Sequence, residues 1–382
     1  MTPLGRPPGT GQPSGSQPSG SRLPPGARPT VVWPTAATEV VGVIGFPVRH
    51  SLSPLLHNCA FDVMDLDWSY LAFEVSPRLF GQAVSGAESL GFRGLSVTMP
   101  HKDAAARLAV RRSVTVRHLG AANTLIFEPR GVFAESTDGD GLLDDLRKGA
   151  LFDPDGRHCA VIGAGGAARA AVLALAGAGA KEIVIVNRSR PSAWRSAALA
   201  PKVARVGRPD ELIGMDLVVQ ATPASMSGVD RTGDEVVPVG AAMSRRDAAP
   251  ANFDAVTGDE SAVPGEEVSA VIAGVDPARF GAGQLVVDLI YDPALTPFLL
   301  EARRHGAAVR NGLGMLVHQA ARQIQLWTGA EAPVSAMWAV VGGDASEAAG
   351  DVRPVAPTAA SDEGEGELSP LGEAGVSGPI EA

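Results

Sequence analysis

Cysteine is almost absent from this sequence, which has 382 residues but only Cys59 and Cys159. Two cysteines cannot form a disulfide framework, and neither has a second cysteine at the short spacing of a metal-binding motif. We therefore expect both thiols to be small buried side chains in a reducing compartment, and we predict a cytoplasmic protein. Four histidines lack a neighbouring cluster of carboxylates or cysteines and so predict no metal site: His50, His57, His101 and His318.

Long apolar runs and basic segments are also missing. No apolar run reaches the length of a membrane span, and residues 1–38 contain no apolar stretch of the kind that a secretory signal needs, so no membrane partner is expected. The net charge is −10, and residues 341–382 account for most of it with nine acidic residues and one arginine. The rest of the chain is only mildly acidic, which argues against non-specific binding to nucleic acid.

Three segments are poor in large apolar residues and rich in Gly, Pro, Ala and charge. They are residues 1–38, an internal stretch at about 230–270, and the tail 341–382. This composition is typical of disordered segments, because it offers little surface to bury in a core. We expect the internal stretch to be an insert that leaves a folded domain and returns to it.

Strand-like and helix-like runs alternate along the rest of the chain, which predicts an α/β fold with a mainly parallel sheet. The predicted strands lie near residues 40–45, 69–75, 93–98, 121–127, 159–163, 183–187, 216–221, 285–290 and 307–310. The predicted helices lie near residues 53–64, 77–90, 101–110, 139–148, 166–178, 191–199, 296–305 and 313–328.

The strand at 159–163 runs into the letters GAGGAA, and a helix and another strand follow. In this βαβ context the pattern predicts a dinucleotide-binding loop. Gly163 permits the tight turn, Gly165 lets the backbone approach a pyrophosphate, and Ala168 lets the helix pack closely. A tight turn without a ligand is the alternative. The predicted contacts are Gly163, Ala164, Gly165, Gly166, Ala167 and, at the end of a later strand, Ala221 and Thr222.

The residues after the second strand of this unit indicate which dinucleotide binds. A site for NAD has Asp or Glu at this point, whereas the sequence here reads Asn187-Arg188-Ser189-Arg190. A carboxylate would repel a 2′-phosphate, while a guanidinium and a hydroxyl can bind one. We therefore predict NADP as the cofactor, in contact with Asn187, Arg188 and Ser189. A surface arginine without a ligand is the alternative for Arg188 and, more strongly, for Arg190.

The stretch LSVTMPHK places a lysine where its charge gains nothing from the following helix. The strand-like run stops at Pro100, and Lys102 lies in the first helical turn, at the positive end of the helix dipole. Many first-turn lysines simply point into solvent. The position alone therefore leaves the role of Lys102 open.

Five polar stretches, in this order around the GAGGAA loop, resemble the shikimate dehydrogenase family. They read GFPVRHSLSPLLHN, LSVTMPHK, GAANTLIF, STDGDGLLDDL and NGLGMLVHQAARQ. The resemblance covers about residues 39–340. It implies the NADP-dependent, reversible reduction of 3-dehydroshikimate to shikimate by hydride transfer, in the route to aromatic amino acids. It is compatible with a monomer and with a homodimer.

The resemblance also implies an N-terminal α/β substrate domain and a Rossmann domain that binds the dinucleotide. The expected boundaries are 39–145 with 313–340 for the substrate domain, and 146–312 for the Rossmann domain with its insert. Lys102 and Asp138 would form the acid–base pair. The implied substrate contacts are Ser51, Ser53, Thr98, Asn123, Tyr291 and Gln319, and Gly312 and Met315 would lie beside the nicotinamide.

Structural roles compete with several of these assignments. Ser51, Ser53 and Asp138 are all residue types that cap helices, Asn123 and Gln319 can serve the backbone or solvent, and Met315 can be a core residue. Three positions depart from the family pattern: Ser96 and Ser136 stand where asparagine is frequent, and Asn311 stands where aspartate is frequent. Two rival functions remain: an NAD-preferring quinate/shikimate dehydrogenase, and a non-catalytic binding protein with a dehydrogenase body.

Overall fold

The computed structural model describes residues 34–225 and 270–342. Most of the three segments with disorder-like composition therefore lies outside the described residues. Residues 34–38, which the sequence assigns to the N-terminal segment, are described. They form a turn that is hydrogen-bonded to the segment before the strand Trp68–Glu74. The hydroxyls of Thr35 and Thr38 donate to the two carboxylate oxygens of Asp67, at 3.3 and 2.6 Å.

The first sheet is mixed, with strand order β2-β1-β3-β5-β6-β4. Its strands are β1 (Glu39–Gly45), β2 (Trp68–Glu74), β3 (Gly94–Val97), β4 (Arg111–Arg112), β5 (Thr124–Glu128) and β6 (Gly131–Glu135). Strand β5 runs antiparallel to both of its neighbours, whereas the other three strand pairs of this sheet are parallel, as expected for a mainly parallel sheet. Strands β4 and β6 were not predicted from the sequence. Strands β5 and β6 form a hairpin, which needs no crossover helix between its strands.

The second sheet is entirely parallel, with strand order β12-β11-β10-β7-β8-β9. Its strands are β7 (His158–Ile162), β8 (Glu182–Val186), β9 (Ala204–Val206), β10 (Leu217–Gln220), β11 (Leu285–Asp288) and β12 (Ala308–Arg310). This is the strand order of a Rossmann fold, and the order reverses between β7 and β10. The central strands are buried on both faces, which explains why they read as continuous apolar runs.

Helices cover the sheets and join them. In the described residues they are α1 (Ser53–Val63), α2 (Phe80–Ser89), α3 (Lys102–Leu108), α4 (Val114–Leu119), α5 (Asp138–Asp144), α6 (Gly166–Gly177), α7 (Arg190–Ala197), α8 (Pro297–Arg304), α9 (Leu313–Thr328) and α10 (Val334–Val340). The sequence analysis missed the short helices α4 and α10. Helix α5 packs against α6 on one side and against α9 on the other, so it lies where the two sheets' layers meet.

Two glycines allow these close helix contacts. A Cβ on Gly139 would lie 2.9 Å from Cβ of Ala174 on α6, and a Cβ on Gly141 would lie 2.8 Å from Cβ of Gln319 on α9. Real side-chain contacts are not this short, so larger residues would push α5 away from its neighbours. The paired glycines of TDGDG therefore set the position of the helix that begins at Asp138.

The two cysteines differ in burial. Cys159 is fully buried, as expected, whereas Cys59 is only half-buried and lies beside α10, with its thiol 3.6 Å from the carbonyl oxygen of Ala336. The expectation for Cys59 was wrong, because Cys59 is not among the buried residues of α1. Within residues 34–225 and 270–342, no helix is long and apolar enough to cross a membrane. The same residues contain no group of three His, Cys, Asp or Glu side chains that could hold a metal ion.

Candidate active site

Three strand ends meet at one edge of the first sheet. Ser96 of β3 pairs with Thr124 of β5, and Thr124 pairs with Glu135 of β6. Because β5 is antiparallel, its first residue lies beside the last residues of both neighbours. The segments that follow β3, precede β5 and follow β6 therefore converge. They carry Lys102, Asn123 and Asp138, respectively.

Lys102 and Asp138 form an ion pair between two helix starts. Lys102 is the first residue of α3, Asp138 is the first residue of α5, and Nζ of the lysine donates to Oδ2 of the aspartate at 2.6 Å. The side chains are 17% and 7% exposed. Asp138 does not cap its helix, since no side-chain cap hydrogen bond is present at the start of α5. The capping alternative is thus excluded, and the carboxylate faces the lysine.

Asn123 fixes the other side of the carboxylate. Its Nδ2 donates to Oδ1 of Asp138 at 2.8 Å and lies 2.9 Å from Oγ1 of Thr137 and 3.2 Å from Oε1 of Gln319. Its Oδ1 accepts from the backbone N–H of Thr137 at 2.8 Å. Asn123 is 2% exposed. It therefore joins the first sheet, α5 and α9 in a single buried polar cluster.

A buried hydrogen-bond chain behind Asn123 escaped the sequence analysis. The Tyr70 hydroxyl donates to the Ser96 hydroxyl at 2.7 Å, and Ser96 donates to Oε1 of Gln323 at 2.7 Å. Nε2 of Gln323 then donates to Oγ1 of Thr124 at 3.0 Å and to the carbonyl oxygen of Asn123 at 3.3 Å. Ser96 is one of the departures from the family pattern, and here it bridges two buried side chains. One signal was available: Gln319 and Gln323 recur one turn apart on a largely apolar face of α9.

The serines of the SLSP segment lie at the start of α1. Ser51 Oγ accepts from the backbone N–H of Ser53 at 3.2 Å, and α1 has no side-chain cap hydrogen bond. Burial raises the pKa of Tyr291, and the interactions of its hydroxyl with the backbone of Leu52 and the side chain of Ser51 act in the opposite direction. Tyr291 follows β11 of the second sheet, so this segment meets the other half of the molecule here.

Thr98 lies just beyond β3 and is half-buried against Gly45. Its carbonyl oxygen accepts from the backbone N–H of His101 at 3.0 Å, in the turn that leads to Lys102. Thr98 therefore lies at the same sheet edge as Lys102, although no direct contact joins the two side chains in the described residues.

His57 is a core residue of this half. Its ring stacks on Tyr70 with centroids 4.0 Å apart, and Nδ1 lies 2.8 Å from the carbonyl oxygen of Ser53. Burial lowers the pKa of His57 to about 4, so the ring is neutral near pH 7.

The GAGGAA loop has the shape that a dinucleotide site needs. Gly163 follows β7 with φ +121°, a conformation that favours glycine, and a Cβ there would lie 3.0 Å from the carbonyl oxygen of Ala221. A Cβ on Gly165 would meet nothing within 4 Å, so the space beside this backbone is open. Helix α6 begins at Gly166, and Ala168 is buried against the sheet. The ends of β7 and β10 lie side by side at the point where the strand order reverses, and Ala221 and Thr222 directly follow β10.

The segment after β8 is exposed at the same edge of the second sheet. Nδ2 of Asn187 donates to the carbonyl oxygen of Ser189 at 3.0 Å, which shapes the turn, and α7 begins at Arg190. Arg188 and Ser189 are exposed. Residues 187–190 contain no carboxylate. The binding of a 2′-phosphate by Arg188 and Ser189 stays a prediction.

Close packing leaves no room for a side chain at either glycine of NGLGM. A Cβ on Gly312 would overlap the backbone of Leu289, and a Cβ on Gly314 would overlap the carboxylate of Asp145. Asp145 is fully buried and pairs with Arg310, whose Nε donates to Oδ2 at 2.8 Å. Met315 belongs to the core beside the second sheet, which favours the packing alternative for this residue.

Asn311 shapes the turn that leads into α9. Its Oδ1 accepts from the backbone N–H of Leu313 at 3.1 Å, and its Nδ2 donates to the carbonyl oxygen of Ala294 at 3.1 Å. The amide can make both bonds, whereas an ionised carboxylate has no hydrogen to donate. For Ser136, the hydrogen bond found is from its backbone N–H to Oε1 of Glu135, at 2.8 Å.

Asp288 was not assigned a role of its own by the sequence analysis, yet it is a fully buried carboxylate. Oδ2 accepts from the Thr296 hydroxyl at 2.8 Å, and Oδ1 accepts from the backbone N–H of Ile290 at 3.1 Å and from Nε2 of Gln220 at 3.2 Å. Burial raises its pKa to about 6, against the effect of these hydrogen bonds. It shapes the loop that carries Tyr291.

Comparisons with known proteins identify the family of the chain. The family model described as the shikimate dehydrogenase substrate binding domain matches residues 43–125, and that of the shikimate 5′-dehydrogenase C-terminal domain matches residues 312–341. The shikimate dehydrogenase (NADP(+)) of Methanopyrus kandleri is 38% identical over 302 residues, which cover 79% of this chain and 94% of that protein. The shikimate dehydrogenase (NADP(+)) of Geobacter metallireducens is 38% identical over 303 residues, covering 79% and 96%.

A solved structure of a shikimate 5-dehydrogenase has a similar fold. Shikimate 5-dehydrogenase from Thermus thermophilus, in complex with NADP(H) and shikimate, superposes with a TM-score of 0.62 at 28% sequence identity. The match covers 80% of this chain and 98% of that one. Both sheets of the present chain therefore have counterparts in that protein.

Proposed function

The chain belongs to the shikimate dehydrogenase family and uses NADP as its cofactor, and we propose that Lys102 and Asp138 are the acid–base pair with which it reduces 3-dehydroshikimate to shikimate. The observation that carries this assignment is the 2.6 Å ion pair between two helix starts, at the edge of the first sheet that faces the dinucleotide loop. The two halves meet there, since a Cβ on Gly166 would lie 3.1 Å from Cδ of Lys102.

The chemistry requires a proton donor beside the carbonyl oxygen. The reduced nicotinamide supplies the hydride, and the carbonyl oxygen gains negative charge as the hydride arrives. The ammonium of Lys102 stabilises that charge and donates the proton to the oxygen; in the oxidation direction the neutral amine accepts the proton from the hydroxyl. Asp138 orients the lysine through Oδ2 and is itself held by Asn123 through Oδ1.

The remaining substrate contacts surround this pair. The hydroxyls of Ser51 and Ser53 bind the substrate carboxylate, and Tyr291 lies beside Ser51. Thr98, Asn123 and Gln319 bind the ring hydroxyls, with Asn123 and Gln319 already joined through Nδ2 and Oε1 at 3.2 Å. The proposed substrate contacts thus come from three parts of the protein: the edge of the first sheet, helix α9 and the loop that follows β11.

The chain's residues also fit NADP. The open space beside Gly165, the start of α6 at Gly166 and the strand ends before Gly163 and Ala221 form the cradle for the pyrophosphate. Arg188 and Ser189 bind the 2′-phosphate, and Asn187 shapes their turn. Gly312 allows α9 to start close to the β11 loop, beside the nicotinamide.

The domain boundaries belong to the same proposal. Residues 39–145 with 313–340 form the substrate domain, and 146–312 form the NADP-binding domain. Residues 34–38 are added to the substrate domain because of their bonds to Asp67. A lack of affinity for nucleic acid and a cytoplasmic location stay predictions from the sequence, and the family resemblance is compatible with both a monomer and a homodimer.

The direct test is the oxidation of shikimate by the full chain, followed through the absorbance of the reduced nicotinamide. We expect turnover with shikimate and NADP. Quinate in place of shikimate, and NAD in place of NADP, are the comparison reactions. Higher catalytic efficiency with quinate and NAD would favour the rival dehydrogenase, and binding of NADP without any turnover would favour a non-catalytic protein.

A further inference from the structure

Helix α6 touches the catalytic helix α3 directly beside Lys102. Arg169, in the first turn of α6, forms an ion pair with Asp103, the residue that follows Lys102. The Arg169 side chain is 19% exposed and that of Asp103 is 50% exposed. At the start of the same turn of α6, Gly166 lies against the aliphatic part of Lys102. The dinucleotide helix therefore holds α3 at two successive residues.

Arg169 also reaches the segment that precedes Asn123. A Cβ on Gly120 would lie 3.8 Å from Nη1 of Arg169, and a Cβ on Gly166 would lie 3.7 Å from Cβ of Ala121. Leu119, Ala121 and Ala170 form a small apolar cluster in the same region. The guanidinium thus lies between α3 and the 119–122 segment, the two elements that carry Lys102 and lead to Asn123.

Arg169 is not a solvated surface residue. Its Nε is buried and has no hydrogen-bond partner among the described residues. A buried donor without a partner is unfavourable, so the other contacts of the side chain must compensate for it. The bond to Asp103 is the compensation that the geometry provides.

We propose that Arg169 is a positioning residue, which acts through Asp103 to hold Lys102 at the correct place relative to the dinucleotide loop. The proposal rests on the proposed function, since it assumes that Lys102 is the acid–base group. Proton transfer depends steeply on the placement of the donor, so a small displacement of α3 lowers turnover. Neither Arg169 nor Asp103 is among the assigned substrate or cofactor contacts, so we expect binding of both ligands to change less than turnover.

The test is a double-mutant cycle on steady-state kinetics, with Asp103→Asn, Arg169→Met and the two combined. We expect each single change to lower kcat about 5–20-fold, with KM for shikimate and for NADP within about twofold of wild type. The combined variant should be no slower than the slower single variant, because both changes break one contact. Arg169→Lys keeps the positive charge, so its kcat should be higher than that of Arg169→Met. The double variant with exchanged charges, Asp103→Arg with Arg169→Asp, should have a higher kcat than Asp103→Arg alone or Arg169→Asp alone.

Asp210 and Arg279 supply the matched control, because they form an Arg–Asp ion pair that lies within the second sheet's half, away from Lys102. Asp210→Asn and Arg279→Met should leave kcat unchanged. Independent, multiplicative losses at Asp103 and Arg169 would overturn the proposal. A rise in KM for NADP in Arg169→Met alone would overturn it too, because it would assign the guanidinium to the cofactor phosphates. Absence of turnover in the wild-type chain would instead count against the proposed function, and melting curves would show whether a slow variant is merely unfolded.

Discussion

Nδ2 of Asn123 lies 2.8 Å from Oδ1 of Asp138, on the side of the carboxylate opposite to Lys102. Both carboxylate oxygens therefore accept a hydrogen bond inside the protein, and a rotation of the aspartate away from the lysine would break both bonds. In the described residues Lys102 makes no second hydrogen bond through Nζ. Two of its three N–H groups remain for the substrate oxygen, which leads to the first prediction.

Lys102→Ala should lower kcat for shikimate oxidation by about 10²–10⁴-fold, because loss of a proton-transfer group has effects of this size. Binding of NADP, measured by titration, should stay close to wild type. Lys181→Ala, at an exposed lysine in the turn between α6 and β8, is the control and should be unaffected. Turnover of Lys102→Ala within about threefold of wild type would refute the assignment.

Arg188→Ala should raise KM for NADP by about 10–150-fold, the equivalent of a charge-assisted hydrogen bond worth roughly 1.5–3 kcal/mol. KM for NAD should change little, because NAD has no 2′-phosphate. The comparison variant is Arg303→Ala, at an exposed arginine on α8. Equal effects of Arg188→Ala on both cofactors would point to a structural role for this arginine.

Gln323→Leu should destabilise the protein and lower its kcat. The substitution removes an acceptor from Ser96 and a donor to Thr124, and both partners are buried. Unpaired buried groups predict a loss of at least about 2 kcal/mol in the free energy of unfolding, measured by urea titration. We expect kcat to fall about fivefold, since Asn123 loses support. Gln325→Leu, at an exposed position on the same helix, is the matched control and should change neither quantity.

The sequence predicted the elements that have a local signal. The βαβ unit at 158–186 and helix α9 appear at the expected residues, because each has a strong apolar period bounded by glycine. Short elements escaped. Strand β6 has five residues and follows a tight turn, and helix α4 has six, too few for a periodic pattern to stand out.

The candidate site was predictable only where a residue type carried the chemistry itself. Lys102 and Asp138 have such types and motifs. Gln323 and Arg169 do not, because their roles depend on which other elements they meet in three dimensions: Ser96 lies 227 positions from Gln323, and Asp103 lies 66 positions from Arg169. The antiparallel direction of β5, which brings Asn123 to the site, likewise depends on pairing across the sheet.

Asp288 should make stability depend on pH with a defined sign. Its pKa is about 6 in the folded protein against 3.8 for an ordinary aspartate carboxyl, so the fold favours the protonated form. This contribution is fully present below about pH 3.8 and is lost as the pH rises through about 6, and it amounts to roughly 3 kcal/mol. Asp288→Asn does not titrate. The free energy of unfolding of wild type, relative to Asp288→Asn, should therefore fall between about pH 3.5 and pH 7.

His57 gives the stability a pH dependence of the opposite sign. The effect of Asp288 must therefore be measured as the difference between wild type and Asp288→Asn. The pKa of His57 falls to about 4 on burial, from 6.5, so the fold favours the neutral ring and loses stability as the pH falls through this range. Both proteins contain His57, so its contribution cancels in the difference. A difference that stays constant across the range would show that folding does not raise the pKa of Asp288.

A trimmed variant that keeps residues 34–342, with 243–268 replaced by a short Gly-Ser linker, should fold and stay active. Every residue with an assigned role lies within 34–225 or 270–342, and the removed stretches contain few large apolar side chains with which to support a core. The variant starts at residue 34 rather than 39 because Thr35 and Thr38 bond to Asp67. A version that starts at residue 39 is the matched comparison and should melt at a lower temperature. Melting curves and shikimate titrations measure both properties. A loss of catalytic efficiency beyond about tenfold, or about 1.4 kcal/mol, would mean that a removed segment contributes to the working site.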